Sequence, residues 1–199
     1  MNEISRTPKL RPTTQAAEGI PRIKWTLEEF ERLAELGFFS DIEHVELIGG
    51  ELVPMNAKGN RHELVRSELH DWMIRRLPGD VREEVELGWR PGGDLYFEPD
   101  ILLRPQGTPV SAVPASEVLL LIEVADKSRR YDLGRKAKIY AGLGVREYWV
   151  VDAVTLDTRV HREPGAAGYA SIADVPAARI LTPLLVPALA VKLEDLQIG

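Results

Sequence analysis

Three ionisable residues stand out because their types and positions could create a binding site for a cation. Asp100 lies in the run FEPDILLR, Glu123 lies near the end of the run VLLLIEV, and Lys136 lies in the charged segment that follows. Two carboxylates offer the hard oxygen ligands that divalent cations such as Mg²⁺ prefer. The pattern therefore favours a metal site, provided that the fold brings the three side chains together.

Both acids fall on predicted strands. Alternation in residues 96–103 places Asp100 on a strand face that is otherwise apolar. Residues 118–124 form a continuous apolar run, typical of a strand buried on both faces, and Glu123 interrupts it. Because burial of an unpaired carboxylate is costly, Glu123 is expected to be paired in a buried salt bridge, protonated or bound to a cation, and the presence of Asp100 favours the cation over the salt bridge.

Lys136 falls on a predicted helix over residues 129–143, which ends at Gly142 and Gly144. The apolar stripe of this helix consists of Leu133, Ala137, Tyr140 and Ala141. Lys136 borders the stripe and can project toward the sheet. A helical lysine is more often a surface residue, so both interpretations stay open.

The segment before these elements adds two further candidates. A capping box at Thr26 predicts a first helix, and Gly49-Gly50 predicts a hairpin over residues 44–55, in which Glu46 either points into a site or faces solvent. A second helix over residues 60–77 carries His62 near its start on the apolar face. This histidine is either a half-buried structural residue or a catalytic or phosphate-contacting one.

The remaining segments are predicted more coarsely. Residues 1–24 are polar and lack periodicity, so a poorly ordered lead-in is expected. Strands are predicted over 81–89, 96–103 and 145–152, and residues 104–117 form a Pro- and Ser-containing loop, a candidate lid. A peripheral hairpin is predicted over 157–172, and a short apolar edge over 179–196.

The composition is that of one globular domain, with 199 residues, of which 44% are hydrophobic and 28% charged. The absence of cysteine excludes disulfides and thiolate metal sites. No apolar run approaches the ~20 residues needed to span a bilayer, and no secretory h-region is visible, so a cytoplasmic protein is expected. The net charge of -6 argues against a non-specific coat on nucleic acid but does not exclude a nuclease.

The order of motifs resembles the Uma-two family of bacterial endonucleases, within the PD-(D/E)XK nuclease superfamily. The likeness covers roughly residues 25 to 185. It is carried by the hairpin E-L-I-x-G-E-L-V, F-E-P-D, I-E-V-x-x-x-S, D-x-x-x-K-x-x-x-Y and G-V-x-E-Y-W-V-V-D. The resemblance implies a restriction-endonuclease-like fold, with residues 25–199 as one mixed α/β domain. A central mixed sheet would carry helices on its faces, after an N-terminal helix and β-hairpin.

The resemblance also implies roles for single residues. Asp100 matches the superfamily's PD aspartate and Glu123 its second acid, so both would bind Mg²⁺ or Mn²⁺, with the carbonyl of Val124 as third ligand. The usual lysine two residues after the acid is replaced by Ala125. Lys136 on the following helix would supply it, with Lys127 as a fallback. Glu46 matches an acid that completes the site, and His62 matches a recurrent histidine.

Two functions follow from this resemblance. The first is a metal-dependent endonuclease that hydrolyses DNA, with Lys136 stabilising charge in the transition state. The second is a catalytically silent DNA-binding or assembly module on the same fold. Asp100, Glu123 and Lys136 are all present, which favours the enzyme. By analogy with nucleases that cut both strands, a homodimer is expected, with no membrane association.

Overall fold

The computed structural model describes residues 13–15, 21–40, 44–55 and 58–198. The first elements are β1 (Thr13–Gln15), β2 (Pro21–Ile23), α1 (Leu27–Glu35), β3 (Val45–Ile48), β4 (Glu51–Pro54) and α2 (Asn60–Ile74). Next come β5 (Val81–Val85), β6 (Leu95–Tyr96), β7 (Ile101–Pro105), β8 (Leu120–Ala125) and a helix here called α3 (129–143). The last are β9 (Glu147–Asp152), β10 (Thr158–Gly165), β11 (Gly168–Val175), β12 (Ile180–Leu181) and β13 (Val191–Lys192).

A six-stranded mixed sheet forms the centre, in the order β11-β10-β9-β8-β7-β5. Strands β8 and β9 are parallel and the other neighbours are antiparallel. A parallel pair needs a crossover connection, which α3 provides between β8 and β9. Every residue of β8 is buried, as the continuous apolar run predicts. The predicted α/β fold with a central mixed sheet is therefore confirmed.

Helices pack on both faces of this sheet. Val65, Leu69 and Met73 of α2 share one apolar cluster with Ile122 and other residues of the sheet, to which the C-terminal segment also contributes. The stripe of α3 packs with Leu102 and Leu121 on the opposite face. Strand alternation then places Glu123 on the α3 side, next to Lys136. No helix within the described residues is long and apolar enough to cross a membrane.

The N-terminal helix and hairpin form as predicted. The Thr26 hydroxyl accepts from the Glu29 amide at 3.1 Å, and the Glu29 carboxylate accepts from the Thr26 amide at 3.2 Å, which is the predicted capping box. Gly49 and Gly50 have φ of 60° and 85°, which suits a tight hairpin turn. Glu46 lies opposite Val53. All of β3 is buried, so Glu46 points inward and not into solvent.

Two predicted strands are shorter in the structure than in the sequence analysis. The strand predicted over 81–89 ends at Val85, because Glu86 takes a left-handed backbone conformation with φ of 50°. The strand predicted over 96–103 is divided into β6 and β7, with Asp100 in the bend immediately before β7. The Glu86 amide donates to the carbonyls of Pro99 and Asp100 at 3.2 and 3.3 Å, which fastens the two bends together.

Two peripheral predictions also need correction. The hairpin β10–β11 is not peripheral, because β10 pairs with β9 and extends the central sheet. Within the lead-in 1–24, residues 13–15 pair with 21–23 in an antiparallel ladder, and the other residues before 21 lie outside the described part, so the poorly ordered lead-in stays a prediction. The loop 104–117 is packed in its second half, where Val113 is buried and its carbonyl accepts from the Trp89 indole at 2.9 Å.

Candidate active site

A cavity of about 780 Å³ opens at the end of the central sheet, between the N-terminal ends of α2 and α3. The acids that line it are Glu98, Asp100, Glu123, Asp126 and Asp132. The basic side chains that line it are Lys58, His62, Lys127, Arg130, Arg135 and Lys138. Residues 104–117 do not contribute to its lining, so the loop predicted as a candidate lid does not border this cavity. The cavity thus combines an acidic floor with many cationic groups.

Asp100 is buried and held by donors from three different elements. Its Oδ2 accepts from the Val124 amide at 2.7 Å and lies 3.0 Å from His62 Nε2, and its Oδ1 accepts from Lys58 Nζ at 3.2 Å. Burial alone would raise the pKa of Asp100, but the hydrogen bond and charge of His62 and the charge of Lys58 lower it to about 2. Asp100 is therefore ionised at neutral pH.

His62 acts as a donor to Asp100, since an ionised carboxylate can only accept hydrogen bonds. The other ring nitrogen, Nδ1, lies 3.3 Å from a carboxylate oxygen of Glu63. Burial would lower the pKa of His62, but the hydrogen bond and charge of Asp100 outweigh it, and the pKa is raised. The raised pKa thus favours the protonated, positively charged form of His62 beside Asp100.

Lys136 and Glu123 form a buried ion pair on the α3 side of the sheet. Lys136 is fully buried, and its Nζ donates to Glu123 Oε1 at 2.9 Å, where the Tyr140 hydroxyl also donates at 3.2 Å. Burial raises the pKa of Glu123, against the charge of Lys136 and together with the charge of Asp100. Burial alone would lower the pKa of Lys136, but the charges of Glu123 and Glu46 raise it well above its ordinary value.

Glu46 reaches the same lysine from the N-terminal hairpin. Its Oε1 lies 3.0 Å from Lys136 Nζ and accepts from the Glu98 amide at 3.4 Å. Its other oxygen, Oε2, is buried and has no hydrogen-bond partner among the described residues. Glu46 and Lys136 do not line the cavity themselves, whereas Glu123 does. The two residues therefore lie behind the carboxylates that face the cavity.

A π-helical turn in α3 brings a further acid into the site. The turn spans Asp132–Lys136, and both of these end residues are buried. Burial, against the charge of Lys136 and the hydrogen bond of Ser128, raises the pKa of Asp132 to about 6. π-Turns occur frequently at functional sites. Asp132 was not predicted as a site residue, although the spacing D-x-x-x-K-x-x-x-Y, with Tyr140 at its end, indicates one helix face.

The predicted site residues thus meet at one place. Asp100, Glu123 and Val124 line the cavity, and Lys136 and Glu46 lie behind Glu123. Val124 contributes its amide to Asp100, and a role for its carbonyl stays a prediction. Lys127, the fallback lysine, is exposed at the cavity. Lys58 was missed, because a lysine near a Gly carries no periodic signal in the sequence.

The donor set suits a hard divalent cation. Among the described residues, no three His, Asp or Glu side chains already form a cluster that could hold a metal ion. Mg²⁺, however, is usually bound through one or two carboxylates and keeps several waters, so Asp100 and Glu123 are the residues that could hold it. Burial, followed by the charges of neighbouring acids, raises the pKa of Glu123, and a cation bound at this carboxylate would favour its ionised form.

Comparison with known proteins gives a family and a similar fold. The family model "Uma2: Putative restriction endonuclease" matches residues 27–194. A search of curated proteins found no match. A crystal structure described as "a putative nuclease belonging to DUF820 from Anabaena variabilis" is similar with a TM-score of 0.64 at 19% identity, covering 85% of this chain and 96% of that one. At this identity the likeness shows the fold alone. Since the family model spans nearly the whole described domain, the chain belongs to the Uma2 restriction-endonuclease family, which was expected from its motifs.

Proposed function

We propose that this nuclease-family protein is a Mg²⁺- or Mn²⁺-dependent endonuclease that hydrolyses phosphodiester bonds of DNA. The observation that carries the proposal is the meeting of Asp100 and Glu123 on neighbouring parts of the sheet, at the floor of one cavity, with a buried lysine behind them. A bound divalent cation would supply an activated water and relief of charge on the phosphate oxygens. Asp100 and Glu123 would hold this cation, with the Val124 carbonyl as an additional ligand.

Lys136 is better suited to electrostatic support than to proton abstraction. Its Nζ is fully buried, does not reach the cavity lining, and faces two carboxylates. The raised pKa of Lys136 keeps it charged at neutral pH, so it is a poor base. We assign it the role of positioning Glu123 and balancing the charge of Glu46. The same arrangement fixes the Glu123 carboxylate on the cavity side of the lysine.

The cationic rim of the cavity provides the complementary surface for a nucleic-acid backbone. Lys127, Arg130 and Lys138 are exposed there, and Arg135 pairs with Glu51 at 3.1 Å. Such side chains bind phosphates without reading sequence. A local basic rim on a chain of net charge -6 is compatible with binding at one site instead of along the whole surface. We further propose a homodimer, which would allow both strands of a duplex to be cut.

The proposal is tested by titrating Mn²⁺ into wild type, Glu123→Gln and Asp100→Asn in a calorimeter, beside a plasmid-nicking assay on the same proteins. Glu117→Gln serves as the control, because Glu117 is exposed and lies outside the cavity. We expect Mn²⁺ uptake and nicking by wild type and by the control, and loss of both in the two site variants. If folded wild type takes up no Mn²⁺ and nicks no plasmid, the silent-module alternative replaces the proposal.

A further inference from the structure

Lys58 lines the cavity, and its ammonium group forms an ion pair with Asp100. Its Nζ donates to Asp100 Oδ1 at 3.2 Å and also to a carboxylate oxygen of Glu86. The side chain of Lys58 is 17% exposed, so it reaches the cavity from its rim. The other oxygen of Asp100 is occupied by the Val124 amide and His62. A cation from solution would therefore compete with Lys58 for Oδ1 of Asp100.

Lys58 is also one member of a closed ring of alternating charges. In order, the ring consists of Asp100, His62, Glu63, Arg66, Glu86 and Lys58. His62 lies 3.0 Å from Asp100 and Arg66 Nε lies 3.3 Å from Glu86, and the remaining links are ion pairs of similar or shorter length. Each acid in the ring has a basic neighbour on either side. The negative charge of Asp100 is thus balanced by the protein's own groups.

Glu86 gives Lys58 a second carboxylate to bind. The positive φ of Glu86 turns the chain out of β5, and its amide donates to the carbonyls of Pro99 and Asp100. These bonds hold Glu86 beside Asp100, while Arg66 pairs with its carboxylate from α2. A residue with φ near 50° is held there at a cost, which is typical of functional sites. Lys58 can therefore leave Asp100 without losing all its ionic partners.

We propose that Lys58 is a built-in counter-ion that occupies the cation position at Asp100 Oδ1 and competes with the divalent metal. This inference rests on the proposed function, since it concerns the same cation. Metal binding displaces the ammonium from Asp100, and Lys58 stays paired with Glu86. Its freed donors then face a cavity that would hold a phosphodiester, an anion that a lysine binds as a point charge. Lys58 thus weakens metal binding in the absence of substrate.

The experiment compares Mn²⁺ affinity by calorimetry in wild type, Lys58→Met and Lys127→Met. Methionine keeps an unbranched apolar stem, and Lys127 is a matched control because it lines the same cavity while the ion pairs of Asp100 are made with Lys58 and His62. We expect Lys58→Met to bind Mn²⁺ at least about tenfold more tightly, since it loses a positive charge in contact with a ligand oxygen. Lys127→Met should change the affinity by less than about threefold.

An equal or weaker affinity in Lys58→Met, with wild type still binding Mn²⁺, would overturn the role of Lys58 and leave the metal site standing. Uptake by Lys58→Met but not by wild type would support the competition strongly. If neither protein binds Mn²⁺, the metal site itself is wrong, and this inference fails with it. Asp100→Asn in the same titration shows whether any observed uptake depends on this carboxylate.

A second measurement needs no substitution and so covers the case of a Lys58→Met variant that does not fold. Lysine acetylation is followed by mass spectrometry on the wild-type protein, with and without saturating Mn²⁺. Release from Asp100 exposes the Lys58 amine, so its labelling rate relative to that of Lys127 should rise several-fold when metal is added. An unchanged ratio under conditions in which calorimetry shows bound metal would contradict displacement.

Discussion

Replacing Lys136 with methionine should destabilise the protein strongly at neutral pH, because two buried acids lose their shared cation. Lys136 Nζ lies 2.9 Å from Glu123 Oε1 and 3.0 Å from Glu46 Oε1. The side chains of Lys136 and Glu46 are fully buried, and that of Glu123 is 5% exposed. Water therefore cannot replace the lost ammonium at this point. Removing one partner of such a group leaves uncompensated buried charge.

The size of the effect follows from the same distances. With an effective dielectric constant of about 20, each ion pair contributes roughly 5 kcal/mol of attraction, part of which offsets the cost of burying the lysine. In the variant, Glu123 can instead bind a proton, which at pH 7.5 costs about 4 kcal/mol for an ordinary pKa of 4.5. We expect the free energy of unfolding to fall by about 3 to 5 kcal/mol at pH 7.5.

The loss should depend on pH with a defined sign. Burial raises the pKa of Glu123, and loss of the lysine removes the charge that opposes this shift, so the variant is most stable below the unfolded pKa and loses stability as the pH rises. At pH 5 the cost of protonating Glu123 falls to about 1 kcal/mol. The deficit of Lys136→Met relative to wild type should therefore shrink to under about 2 kcal/mol at this pH.

Urea unfolding at pH 5 and 7.5, followed by circular dichroism, measures both values. Arg135→Met is the matched control, because Arg135 lies in the same helical turn but is half-exposed and pairs with Glu51 at the surface. The control should lose less than about 1 kcal/mol at either pH. A Lys136→Met protein as stable as wild type at pH 7.5, or a deficit that is the same at both pH values, would refute the charge argument.

Three further substitutions test the reasoning outside the cavity. Burial raises the pKa of Glu83 to about 7, so its ionisation costs stability as the pH rises from about 5 to 7. In urea titrations, Glu83→Gln should therefore be more stable than wild type by about 3 kcal/mol at pH 8, but by under about 1 kcal/mol at pH 5. Arg162→Met removes the guanidinium that donates to the buried Glu147 at 2.6 and 2.9 Å, and should lower the urea-derived stability by about 3 kcal/mol. Gly144→Ala places a side chain at φ of 88° and should lower the thermal midpoint, with a cost of about 1 kcal/mol.

The acids of the site could be predicted because each breaks a local pattern. Glu123 interrupts an apolar strand that is buried on both faces, and Asp100 falls on the otherwise apolar face of a predicted strand, so neither fits an ordinary solvent-facing position. Strand pairing in the central sheet then brings the two together, since Ile101 pairs with Ile122. Asp100 precedes Ile101 and Glu123 follows Ile122, so the two acids lie next to this pair. Sequence pattern and strand pairing together therefore account for the two carboxylates at the floor of the cavity.

The partners of Asp100 could not be predicted from pattern. Lys58 and Glu86 meet Asp100 through two bends, and the backbone of Glu86 is in a conformation that its residue type does not favour. Such a conformation is imposed by tertiary hydrogen bonds from the amide of Glu86. The sequence accordingly predicts an uninterrupted strand where the structure has a bend. This bend places the carboxylate of Glu86 beside Lys58 as its second ionic partner.

The burial of Lys136 is associated with a local irregularity of α3, its π-turn. On a regular helix this lysine borders the apolar stripe, from which a flexible side chain usually reaches water. In the structure Lys136 is buried at the end of the π-turn Asp132–Lys136, and Glu46 and Glu123 contact its ammonium from a hairpin and from the central strand. Three separate elements must dock before these charges compensate one another. The buried lysine is therefore stable only in the assembled domain, which couples the geometry of the site to folding of the whole chain.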